Sequence, residues 1–139
     1  MRAYMALRES VVGVLEEFSL DPRLWSILST IAEHPQGIRN NEIARQLHVQ
    51  APLITMRAKE LIDADYILSK KKDEDFRSKY FKLTPKGKVL MGKLNVRLNK
   101  RLGLVVKDVT EQDLSTYFMV LEKIIENSEH ISNNGNSSK

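Results

Sequence analysis

Apolar side chains recur along this chain at two periods, and each change of period marks a new element. Tyr4, Leu7, Val11, Val14 and Phe18 alternate spacings of three and four, the stripe of an amphipathic helix. The stripe breaks at "SLDPRLW", where Asp21 suits a cap and Pro22 the first position of a second helix. Leu24, Trp25, Leu28, Ile31 and Ala32 form the apolar side of that helix, and "EHPQG" ends it. "NNEIARQLHV" reads as a short third helix with Ile43, Ala44 and Leu47 inward. A fourth helix carries Pro52 in its opening turn and buries Ile54, Ala58, Leu61 and Ile62.

Tyr66, Ile67 and Leu68 then form a strand, and "KYFKL" its returning partner. Thr84 followed by Pro85 repeats the cap-and-proline start. The helix it opens carries Leu90, Leu94, Leu98, Leu102 and Val105, with no breaker until about Val109; Gly103 weakens it modestly. "TEQD" matches a capping box, Thr110 reaching toward the third residue and Asp113 reaching back. Leu114, Tyr117, Phe118, Leu121, Ile124 and Ile125 make the last apolar face, and the tail "SNNGNSSK" has nothing to bury.

The fold class expected is mainly α with a small β-hairpin wing. A winged helix-turn-helix lobe at 21–84 is flanked by a dimerisation helix at 1–20 and two more at 85–127, with a flexible tail at 128–139. The stripes at 4–18, 90–105 and 114–125 exceed what the middle lobe can cover, so they need a partner. A homodimer with interlocked outer helices is one solution; a monomeric helical cap over the lobe is the other.

Composition narrows the chemistry. Lys and Arg number 22 against 18 acidic residues, a net charge of +4 that permits a polyanion partner without requiring one. With no Cys, disulfides, thiolate zinc sites and cysteine redox sensing are excluded. No run of 18 apolar residues and no leader pattern is present, so the expected location is the cytoplasm, without membrane contact. His34, His48 and His130 belong to separate elements and are not spaced as metal ligands. There is no G-x-S-x-G, glycine-rich phosphate loop or dinucleotide fingerprint, and Glu16, Glu17 and the run from Asp73 to Asp75 suit solvated surface. The chain is therefore read as a non-enzyme without cofactor or metal.

Two short helices, a tight turn and a following hairpin compose a winged helix-turn-helix, whose second helix is of the kind that enters a major groove. Opposite its buried side the fourth helix presents Gln50, Pro52, Leu53, Thr55, Met56 and Lys59. Thr55 suits a base edge or a phosphate, Gln50 adenine, and Leu53 or Met56 a thymine methyl; Lys59 suits phosphate. Arg57, beside the buried side, either snorkels outward or pairs with an acidic residue. Lys70, Lys71, Lys72, Arg77 and Lys79 crowd around one turn, a strain that phosphate would relieve; a solubilising, edge-protecting loop is the plainer reading. Arg77 has the planar fork suited to a narrow groove as well as to phosphate.

"IRNNEIARQLHVQAPLITMRAKELIDADYILSKKKDEDFRSKYFKLTPKG", preceded by "LDPRLWSIL", resembles the core of the MarR/SlyA family of bacterial transcription regulators. The likeness spans about residues 4 to 127, and its most specific part is the wing, with Asp75, Arg77 and then "LTPKG" in the family's places. It implies a recognition helix at 51–64, a wing tip at 72–79, Arg77 in minor groove or on phosphate, and Asp75 bracing it. It also implies a homodimer on a near-palindromic double-stranded operator and, in many members, a small phenolic, aromatic or lipophilic effector. Three residues depart from the family pattern: Pro52 replaces a small hydroxyl residue, Arg39 a Thr or Ser cap (leaving Asn40 to cap), and Asp65 a glycine. The function expected is a sequence-specific DNA-binding transcriptional regulator, a ligand-modulated repressor at the nucleoid of a bacterial or archaeal cell. The rivals are a constitutive or architectural regulator and a winged-helix protein-interaction module.

Overall fold

The computed structural model describes the backbone of residues 2–72 and 75–135, and the side chains of 2–70 and 79–131. In chain order come α1 (Arg2–Glu17), α2 (Pro22–Ala32), β1 (Ile38–Arg39), α3 (Asn40–Gln46), α4 (Ala51–Asp63), β2 (Ile67–Lys72), β3 (Asp75–Leu83), α5 (Pro85–Val105) and α6 (Glu111–Gly135). The chain forms two compact units, one through Val105 and one from Val106 onward.

Local chemistry sets most element boundaries in the first unit. Asp21 Oδ1 accepts from the Leu24 N–H at 2.9 Å and Pro22 opens α2, as the sequence predicts. α1, α3 and α4 all stop in one way, each followed by a left-handed residue: Ser19 (φ 56°), His48 (φ 52°) and Asp65 (φ 62°). The next N–H then reaches back over the last turn, from Leu20 to the Leu15 carbonyl, Val49 to Ala44 and Tyr66 to Leu61. None of the three is glycine, and Asp65, which stands where the family pattern has glycine, takes the left-handed conformation that glycine favours.

The sheet has the order β1-β3-β2, both pairs antiparallel. The hairpin is longer than the sequence reading, and the ladder shifts between Lys71 and Lys72. β1 was not foreseen: Ile38 pairs with Phe81 and Arg39 with Tyr80. Gly37 precedes it at φ 107°, where a Cβ would also collide with the Tyr80 ring.

One core holds the unit together. Ile27, Leu28 and Ile31 of α2, Ile43 of α3 and Ile54, Ala58 and Leu61 of α4 meet Ile38, Ile67 and Phe81 of the sheet. Val14 and Leu15 of α1 join Leu90, Met91, Leu94 and Leu98 of α5 in the same cluster, and α1 packs along α5. Arg97 clamps Glu17 bidentately, Nη2 to Oε1 at 2.6 Å and Nε to Oε2 at 2.9 Å.

The start of α5 is tied to the end of α4. Thr84 Oγ1 donates to the Asp65 carbonyl at 2.6 Å and accepts from the Gly87 N–H at 2.9 Å. Lys86 Nζ donates to the Ala64 carbonyl at 2.8 Å and sits over the Tyr66 ring. The "LTPKG" signature is thus a joint between helices.

Several expectations change. Ile62 is exposed rather than buried. Asn40 does not cap α3 but lies within its first turn; Glu42 accepts from the Arg39 N–H instead, at 3.2 Å. α5 ends at Val105, before Val109. In the second unit Thr110 accepts from the Asp113 N–H at 3.1 Å, as expected, but its hydroxyl takes the Asp113 carboxylate that was to reach back to the backbone. α6 continues to Gly135, past the residue where the tail was placed.

Candidate nucleic-acid interface

α3 and α4 are joined by a turn of four residues, 47–50, and α4 seats Ile54, Ala58 and Leu61 in the core. A 3.6-residue period then turns the intervening positions outward. Gln50, Pro52, Thr55, Met56 and Lys59 are all exposed, Met56 by 60%. Leu53, expected beside them, is half-buried. Gln50 precedes the helix and its side chain makes no capping bond.

Two of these outward groups are engaged within the protein. Lys59 Nζ donates to Asp63 Oδ2 at 2.7 Å; that hydrogen bond and the attendant charge hold the ammonium above its usual pKa. Thr55 Oγ1 accepts from Asn40 Nδ2 at 2.7 Å and donates to the Ala51 carbonyl at 3.3 Å. Asn40, from the preceding helix, is a residue that sequence reasoning placed elsewhere. The contact spans 15 positions, a separation at which no local pattern signals it.

Arg57 takes the second of its two foreseen fates. It is mostly covered, bonding Asp21 on α2 and donating to Glu60 Oε1 at 2.6 Å. Partial burial pushes the Asp21 carboxyl up, but the Leu24 N–H and the Arg57 guanidinium together pull it below the usual range. One aspartate therefore caps α2 and braces α4.

The hairpin begins four residues after α4. Lys70 and Lys79 are exposed. Lys70 lies opposite Tyr80 in the ladder, and Lys71 opposite Lys79. Like charges facing directly across a ladder are unfavourable unless a counter-charge arrives. The side chains of Lys71, Lys72, Asp75 and Arg77 lie outside the described residues, so neither the wing arginine nor its brace is placed here.

Away from α4, an open apolar groove of about 300 Å³ runs between α1 and the start of α2. Tyr4, Leu7, Val11, Val12, Pro22 and Trp25 line it, with Arg8 at its side. Among the described residues no cluster of His, Asp and Glu is arranged to hold a metal ion, and no helix is long and apolar enough to cross a membrane.

Comparison with known proteins places this arrangement. The sequence model of the MarR family matches residues 20–79, from the α2 cap to the second wing strand. Uncharacterised HTH-type transcriptional regulators of several Staphylococcus aureus strains are 35% identical over 86 residues, 62% of this chain. The matched stretch spans 56% of the length of those relatives. Among solved structures, Staphylococcus aureus MarR in complex with salicylate and kanamycin is 26% identical, with a TM-score of 0.81 over 91% of this chain and 85% of that one. An Escherichia coli MarR mutant complexed with operator DNA is 16% identical, with a TM-score of 0.77 over 88% of each chain; at that identity the likeness is one of fold. The matched segment is the one that holds the recognition helix and the wing, and over residues 20–79 the chain is similar to the MarR family of winged helix-turn-helix proteins.

Proposed function

We propose that the chain is a sequence-specific double-stranded-DNA-binding transcriptional regulator that works as a homodimer and has no catalytic role. The observation that carries this reading is α4 itself. Its inner side is locked into the core while Gln50, Pro52, Thr55 and Met56 stand uncovered on the outer side, beside a lysine-rich hairpin. Polar groups with a short apolar side chain among them suit base edges and thymine methyls, and the lysines suit phosphate. The Escherichia coli relative of the same fold was crystallised on operator DNA.

Two copies of α4 would enter successive major grooves of a near-palindrome, with half-site centres about 10 base pairs apart. Arg77 then reaches flanking minor groove or phosphate, with Asp75 as its brace, and Lys70, Lys71, Lys72 and Lys79 neutralise backbone charge. Lys59 joins them only by giving up Asp63. We assign the protein to repression modulated by a small aromatic or lipophilic ligand, acting at the nucleoid in the cytoplasm. The groove beside Trp25 and Arg8 supports a ligand of that class, an apolar ring with an anionic substituent. The Staphylococcus aureus relative was crystallised with salicylate.

The test is titration against the protein's own upstream DNA and a scrambled duplex, by fluorescence anisotropy at several salt concentrations. A preference of about a thousandfold at two chains per duplex is expected. Arg77→Ala should weaken binding to every sequence and lower the salt slope by about one. Equal, weak and salt-steep binding to both duplexes would overturn sequence specificity. No binding at low salt would hand the fold to protein interaction.

A further inference from the structure

Asn40 stands in the first turn of α3, off the outward side of α4. Its Nδ2 donates to Thr55 Oγ1 at 2.7 Å and to the Ala51 carbonyl at 3.4 Å. Thr55 donates its own hydrogen to that same carbonyl, one helical turn back. A threonine hydroxyl has one hydrogen and two lone pairs. The hydrogen is committed to Ala51 and one lone pair to Asn40, so what remains for an outside partner is a single acceptor position. Turning the Asn40 amide over would still leave no hydrogen outward: Oδ1 would take the Thr55 hydrogen, and both lone pairs would be open to accept. As the amide stands, its Oδ1 is buried and unpartnered among the described residues.

We infer that Thr55, with its hydrogen held by the Ala51 carbonyl and one lone pair by Asn40, is an acceptor-only reader of a base edge, taking a hydrogen from an exocyclic amine of adenine or cytosine. The inference rests on the DNA-binding reading above and refines it. Guanine O6 and N7 and thymine O4 are acceptors, and so are phosphate oxygens; each would face a lone pair on Thr55 with no hydrogen between. Phosphate contact, open to Thr55 on sequence grounds, is thereby excluded while the Ala51 carbonyl holds its hydrogen. Thr55 is a specificity-determining residue, and Asn40 is a positioning residue that acts through it by leaving one acceptor position open.

The experiment begins with selection of preferred duplexes from a random library by the full chain. Each adenine of the winning site is then replaced by purine, and each cytosine by 2-pyrimidinone, which removes the amine alone. At one position per half-site the wild type should lose about fivefold in affinity, the size of one hydrogen bond. Thr55→Val, equal in shape, should show no such loss at that position. Asn40→Ala leaves the hydrogen on Ala51 and frees a second lone pair, so Oγ1 is no longer fixed on one amine and the loss on removing that amine should shrink, with the preferred base unchanged. A smaller loss at that position alone is a readout that mere loosening of α3 would not produce. Enrichment of a sequence whose every amine proves dispensable overturns the inference and leaves the function standing. An Asn40→Ala loss at that position equal to the wild type's overturns the role of Asn40. Failure of the wild type to enrich any sequence overturns the DNA reading, and the inference with it.

Discussion

Gly87 lies where α5 passes the turn leaving α4, and a Cβ there would stand 2.0 Å from the Tyr66 carbonyl oxygen. That oxygen already accepts from the Thr84 N–H, so it cannot retreat without breaking the joint. Gly87→Ala should therefore cost about 2 kcal/mol or more, at the upper end of overpacking because the obstacle is backbone. Gly92, on the same helix, has nothing within 4 Å of its missing side chain. Gly92→Ala should instead stabilise by about 0.5–1 kcal/mol. Urea unfolding of the two variants checks both signs. Residue chemistry of this local kind was largely legible beforehand: the capping bonds of Asp21 before Pro22 and of Thr84 before Pro85 each span three positions. The crowding at Gly87 was not legible, because Tyr66 lies far along the chain and the glycine alone does not name its neighbour. Thr55 shows the same limit. Its place on the outward side followed from period, while the acceptor position left open on its hydroxyl depends on Asn40 across the helix-turn-helix.

At the scale of the element, periodicity identified α1 to α6 and the hairpin, but not every face or edge. Ile62 fits the apolar stripe of α4 on paper, yet the core is filled by Ile54, Ala58 and Leu61 before the helix rotates that far. β1 escaped notice because two residues carry no period, and their only reason for extension is the β3 edge they pair with. The shared way in which α1, α3 and α4 end has an energetic corollary. A left-handed conformation costs an L-residue about 1–2 kcal/mol relative to glycine, part of which glycine returns through its freer unfolded chain. Ser19→Gly should thus raise stability by about 0.5 kcal/mol; a lowered urea midpoint would mean that the Ser19 side chain contributes something beyond the turn. Ser19 is the suitable site because it is remote from the interface residues named above.

For the molecule as a whole, the apolar surplus foreseen at the termini is smaller than the three stripes suggested, because Val14 and Leu15 of α1 pack with Leu90, Leu94 and Leu98 of α5. α6 runs for 25 residues with none of its described side chains buried, and Phe118, Ile124 and Ile125 are each more than half exposed. Tyr4 on α1 and Leu104 near the end of α5 are uncovered to a similar degree. In proteins most of a helix's stability comes from packing its apolar face, so a second copy of the chain is the partner proposed to cover it. Ile124→Glu would bury an unpaired carboxylate there and should weaken self-association about a hundredfold or more. Sedimentation equilibrium would register it as a shift from two chains to one, and a wild type that sediments as a monomer would remove the homodimer from the proposal.

The joint at Thr84 to Gly87 also sets the rotational phase of everything after it. α5 starts there with three bonds to the turn behind α4, and Leu90, Leu94 and Leu98 fall inward only because the count from that anchor is right. One residue inserted between Gly87 and Leu90 would swing the stripe by about 100°, facing leucines to water and lysines to α1. Between the joint and the first leucine, α5 should therefore tolerate a substitution more readily than a change of length.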